Sequence, residues 1–220
     1  MISNKTFNAT NPEYNACVGN NGFVDLGTYS YGYKEAVEIL IQKTLAHQTT
    51  LDAIVYPMVY CARHYLELSL KKIIESISKI NFVYDGHFIP PDVKSHSVFY
   101  LWGEVKRISA VDERYEKGIN SLEEYINDYP GIDDSAETFR YPVDHDGNKH
   151  LVGQHCINLL NFSIRFAEMS SKIDDFEALC DSLECEYRLN TTVDCLSRNQ
   201  IRKIAKELPN EPWSKATIME

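Results

Sequence analysis

The chain has 220 residues, 44% hydrophobic and 25% charged, with a formal net charge of −10. That composition suits a globular chain able to bury a real core in one compact unit with appendages. The acidic balance argues against broad adhesion to nucleic acid, which needs clustered Lys and Arg, although a small local site stays open. No apolar run approaches the roughly 20 residues that span a bilayer, and the N-terminus lacks a basic-then-apolar signal layout. The expectation is a cytoplasmic, non-membrane protein with reduced thiols, because the six cysteines form no C-x-x-C pair or zinc pattern.

The first 32 residues are rich in Asn, Gly, Thr and Tyr without helical period, and are read as an irregular segment packed through its tyrosines. From Tyr33, KEAVEILIQKTLAH places apolar residues at helical spacing. A second helix is expected from about Leu51 to Ile80, with Pro57 either starting its regular part or kinking it. NFVYDGHFIPPD is a connection. SHSVFYLWGEVKRI predicts a short helix capped by Ser95 or Ser97, and DERYEKGINSLEEYINDY predicts another, closed at Pro130–Gly131. DDSAETFRYPVDHDGN begins as a helical turn and ends as a loop. LVGQHCINLLNFSIRFAEMSSKI and DFEALCDSLECEYRL read as two separate helices, and SRNQIRKIAKELPN as a short one stopping at Pro209. Strand-like alternation is nearly absent, so the fold class is all-α. The expected division is an irregular segment over 1–32, a helical domain over 33–172 and a helical extension over 173–220.

The second helix poses the chemical question. Val59, Ala62, Leu66, Leu70, Ile73, Ile77 and Ile80 project onto one stripe at about 100° per residue, and Arg63 projects inside it. A guanidinium cannot lose its proton to escape burial, so it needs an anionic or hydrogen-bonding partner. Glu67, one turn on, is the nearest. One outcome is an internal ion pair that fixes helix register; the other is a polar pocket in which Arg63, Glu67 and Lys71 meet phosphate or a polar partner. His64 is a surface or hydrogen-bonded histidine in the first case and a proton carrier in the second.

YPMVYCARHYLELSLKKI, then SHSVFYLW, then DDSAETFRYPVDHDG resemble the helical HEPN-type proteins of prokaryotic toxin and anti-phage systems. In that pattern an RH-x-x-E helix precedes an H-x-(L/V)-x-x-L-W helix and an F-R-Y-P turn. The resemblance spans roughly Tyr56 to Ser170. It implies a bundle of four or five helices, often a homodimer, that acts on RNA or docks a partner protein of a defence system, with no cofactor. Catalytic members carry an Arg and a His separated by four to six residues near the start of a late helix, for metal-free RNA cleavage. A base with pKa about 6.5 beside a fixed cation suits transesterification at neutral pH. In RYPVDH, Arg140 and His145 have that spacing, but Pro142 and Gly147 place them in a turn. The candidates are thus Arg140 and His145, with His64 and His96 as further proton carriers and Arg63 as a second cation. Tyr141 is either a binding residue or, with Phe139, a loop anchor, while Arg140 alternatively caps helix carbonyls or pairs with Asp133 or Asp134. His96 either faces Arg63 across the bundle or sits solvated at its helix start. Trp102 is expected in the core. Asp144, His145, Asp146 and His150 form an acidic loop without metal-ligand spacing. Arg198, Arg202, Lys203 and Lys206 form the densest cationic cluster, a solvated helix face or a contact for nucleic acid or an acidic partner.

Overall fold

A computed structural model describes residues 5–9, 11–19, 24–134, 136–190 and 198–208, without the side chains of 189–190 and 198–199. The described residues are helical with no strand; one isolated antiparallel bridge joins Val143 to Lys149. The helices are α1 (Leu26–Leu45), α2 (Leu51–Tyr84), α3 (Val98–Ile108), α4 (Tyr115–Ile126), α5 (Pro130–Asp133), α6 (Leu159–Asn190) and α7 (Arg198–Glu207). None is long and apolar enough to cross a membrane.

Helix α2 is the axis, packed against α1, α3 and α6, with α4 resting on α6. Its apolar stripe is buried from Met58 to Ile80, and one contiguous core joins it to Val98, Leu101, Trp102 and Val105 of α3 and to the inner face of α6. Pro57 lies inside the regular helix, so it neither starts nor ends α2. Ser97 caps α3, accepting from the Tyr100 N–H at 3.0 Å. Trp102 is buried, and its Nε1 donates to Glu123 at 2.8 Å.

Two expected boundaries differ. Helix α1 begins at Leu26 and not at Tyr33, because Asp25 accepts from the Thr28 N–H at 2.8 Å and nucleates the turn. Ser30 is then buried against Ser69, hydroxyl to hydroxyl at 2.8 Å. The two helices expected between Leu151 and Leu189 are one continuous α6 that starts only at Leu159. It therefore runs through 172–173, where a bundle and an extension were expected to part. Phe166, Met169, Ile173, Phe176, Cys180, Leu183 and Tyr187 are all buried along it. Asp174, which interrupts the apolar reading, points outward to Lys34 at 2.6 Å. Pro209 and Cys195 lie outside the described residues.

Polar ties reinforce this packing. Buried Asp112 takes Arg114 through both oxygens, at 2.9 and 2.6 Å, and the Tyr187 hydroxyl at 3.1 Å. Arg114 also reaches Glu186 at 2.9 Å, locking the start of α4 onto α6.

Gly118 sits where α4 crosses α6. An added Cβ there would lie 2.5 Å from Phe176 Cε2 and closer still to Cδ2. Gly118→Ala gains about 1 kcal/mol of helix propensity. It meets an overpacking cost of about 1–3 kcal/mol or more, because the buried Phe176 ring has nowhere to retreat. The expected result is a net loss of stability in urea unfolding; a variant more stable than the parent would show that this crossing is looser than described.

Candidate functional site

Three basic residues of α2 converge on one carboxylate of the same helix. Arg63 is 0% exposed and donates to Glu67 Oε2. The rest of its fork goes to backbone carbonyls: Nη2 to those of His96 and Asp134 (the latter at 2.7 Å) and Nε to that of Asp133 at 3.3 Å. One guanidinium thus joins α2 to the loop before α3 and to the end of α5. Asp134 closes the junction, its Oδ1 accepting from the Phe99 N–H at 2.9 Å in the first turn of α3.

Glu67 in turn serves four basic groups. Lys71 Nζ lies 2.7 Å and His96 Nδ1 2.8 Å from Oε1, and His64 Nδ1 lies 3.6 Å from Oε2, beside Arg63. Burial pushes the Glu67 carboxyl up, but His64, Lys71, Arg63 and His96 together outweigh it and hold it well below the usual carboxylate range. Glu67 is a buried anion with a surplus of cationic partners.

The two histidines on it differ in access. His64 is wedged between tyrosines, edge-on to Tyr33 at 4.5 Å and stacked on Tyr60 at 5.8 Å with the rings 6° from parallel. The His96 side chain is 68% exposed, so its ring stands in solvent while Nδ1 holds Glu67.

Arg140 approaches this cluster through Tyr60. Its guanidinium carbon lies 5.7 Å from the Tyr60 ring centre and 5.4 Å from that of Tyr141. Its Nε donates to the Ala136 carbonyl at 2.5 Å, so it holds a carbonyl of its own turn and neither Asp133 nor Asp134. Phe139 is buried and tilted against Tyr56, anchoring the turn, whereas Tyr141 is exposed.

His145 lies apart. It is 85% exposed at the loop tip, its Nε2 3.4 Å from Asp146. Asp144, His145 and Asp146 place ligand atoms within 4.8 Å of one another. However, the Asp144 carboxylate is already occupied by the N–H groups of Asp146 and Asn148, both at 2.9 Å, and by Asn148 Nδ2 at 3.0 Å. The loop is shaped by its own hydrogen bonds. On α7, Arg202, Lys203 and Lys206 are exposed, and Lys206 stands 4.0 Å from Glu113.

The structure therefore brings together Arg63, His64, Glu67, Lys71 and His96, places Arg140 one aromatic ring away with Tyr141 against it, and leaves His145 outside. Sequence reasoning missed Tyr60 and Tyr33, which confine His64. Only Tyr60 carried a signal, lying one helical turn before it. No protein-family model, curated protein or solved structure matches the chain, and the functional reading rests on this geometry and on the motifs.

Proposed function

We propose that the chain is a HEPN-like, non-catalytic helical module whose polar groups tie the bundle together while its surface docks a partner protein of a defence system. The observation that carries this reading is the complete burial of Arg63, its donors taken up by Glu67 and three backbone carbonyls. Metal-free RNA cleavage needs a cation and a base on the same phosphodiester. Arg63 has no open face for a phosphate, and the exposed Arg140 lies against two tyrosines and a carbonyl of its own turn, while His145 stands at the loop tip beside Asp146. The buried pair accounts for the RH-x-x-E motif by architecture alone.

One observation favours a second reading, a metal-independent endoribonuclease. His96 is exposed, and Glu67 holds its Nδ1, the arrangement by which a carboxylate orients an imidazole for proton transfer. Lys71 on the same oxygen would supply the nearby positive charge.

Incubating the purified chain with total RNA and tRNA in EDTA separates the two, with His96→Ala, Arg140→Ala and His145→Ala run beside it. The module reading expects intact RNA in every lane. Fragments that vanish in His96→Ala and persist in His145→Ala would overturn it in favour of the ribonuclease. Fragments lost in both Arg140→Ala and His145→Ala would instead point to the RYPVDH turn.

A further inference from the structure

We propose that the cavity enclosed by α2, α4, α5 and the start of α6 is a binding site for a small aromatic amine, with the ammonium group on Asp133 Oδ2 and the ring against the phenylalanines of α6. This site adjoins the Glu67 cluster, sharing Arg63 in its wall, and goes beyond the docking role.

The cavity measures about 240 Å³. An apolar void of about 150 Å³ already admits a single benzene ring, so the space suits one ring with a short side chain. Its walls include Val59, Phe139, Phe162, Phe166 and Met169. Phe162 and Phe166 lie 6.2 Å apart and 17° from parallel, presenting an aromatic surface.

Against these walls stands one unbalanced polar group. Asp133 is 3% exposed. Its Oδ1 accepts from the Glu137 N–H at 3.0 Å and the Thr138 N–H at 3.3 Å, whereas its Oδ2 is buried without a hydrogen-bond partner. Buried carboxylate oxygens are rarely left so, because the lost hydration is not replaced.

The cations in the same wall are engaged elsewhere. Arg165 pairs with Asp128 at 2.7 Å and lies 4.1 Å over the Tyr125 ring. Arg63 is bound to Glu67 and touches Asp133 only at its carbonyl oxygen. None of these cations serves Oδ2, and a ligand can bring the donor. An anion would meet both Asp133 and Asp128, and a divalent metal would find a single free carboxylate oxygen, since Asp128 is held by Arg165 and the other polar lining groups, Gln154, Asn158 and Asn161, are neutral amides. A single water could satisfy Oδ2 but would leave the aromatic space empty. A protonated amine on a one-ring body matches both features.

The test titrates the full chain with phenethylamine, and with 3-phenylpropionate and benzyl alcohol as anionic and neutral counterparts, followed by amide NMR and thermal shift. The expected result is saturable 1:1 binding of the amine that moves the Glu137 and Thr138 amide resonances, which report on Oδ1 of the same carboxylate. The anion should bind at least about tenfold more weakly, the order expected for a charge-assisted contact. Asp133→Asn keeps an acceptor for the two N–H groups and should weaken the amine by a similar factor. Ile132→Trp, at the exposed rim of the cavity, should obstruct entry while leaving the Asp133 carboxylate in place. Equal binding of amine and anion, or no saturation by the amine at millimolar concentration, would overturn the proposal. The comparison of ligands on the unaltered chain stands even if a variant fails to fold.

Discussion

Arg63→Leu is expected to lower stability by about 3–5 kcal/mol, the range found when one partner of a buried ion pair is removed. In a chain of this length that corresponds to a fall in Tm on the order of 10 °C. The cost has two sources. Glu67 loses a buried cation, and the carbonyls of His96, Asp133 and Asp134 lose the donor that joins three segments. Two further variants apportion it. Arg63→Lys keeps the charge but replaces a planar fork with a point, so it should restore the Glu67 contact and leave carbonyls unfilled. Arg63→Leu with Glu67→Leu removes the charge imbalance at that pair yet still orphans the carbonyls, and also Lys71. Full recovery in the double variant would mean that the carbonyl contacts carry nothing. An unfolding free energy for Arg63→Leu within about 0.5 kcal/mol of the parent, the range of an ordinary surface change, would remove the case for Arg63 as the tie of the bundle.

Parts of this arrangement were legible before any coordinates. Arg63 inside an otherwise apolar stripe, with Glu67 one turn on, is a pattern that burial physics resolves in few ways. The partners on the far side were not legible, because every residue offers a carbonyl and nothing in Asp133 or Asp134 marks theirs. The RYPVDH spacing misleads for a related reason: residues five apart lie about 140° from each other even on a helix, and a turn holds them together no better. There Arg140 folds back onto Ala136, whose φ is 65°, and His145 projects from a loop ordered by Asp144. The unbroken α6 could have been read. Its buried positions from Phe166 to Tyr187 alternate steps of three and four residues straight through Asp174–Asp175, and neither Gly nor Pro stands there to end a helix. By contrast, the early start of α1 has no apolar signal, since Gly27, Thr28 and Ser30 enter it behind an Asp25 cap.

Acid should unfold the chain through Glu67, and the sign follows from the direction of its shift. The carboxyl is held below the usual range in the fold, so between the folded and unfolded values the unfolded chain binds more protons and stability rises with pH. The contribution is complete above the unfolded glutamate value of about 4.3 and drains away as pH falls toward the folded one. Asp112 is lowered as well, burial pushing it up and the Arg114 bonds outweighing that, so it reinforces the loss. Glu177 opposes it: burial raises its carboxyl despite Lys72, and protonation there favours the fold. Glu67→Gln isolates the hub. At neutral pH it leaves Arg63 buried without its anion, at an expected cost of about 3–5 kcal/mol. As pH drops below about 4 the unfolded chain takes up a proton at Glu67 and the parent progressively loses the stability that the ionised carboxylate supplies, so the gap between parent and variant should narrow. Urea unfolding of both proteins across that range reads the effect directly. A gap that stays constant with pH would show that Glu67 is not the group whose ionisation holds α2 to its neighbours. A narrowing gap would mean that the carboxylate shared by Arg63, Lys71, His64 and His96 contributes to the fold chiefly as an anion.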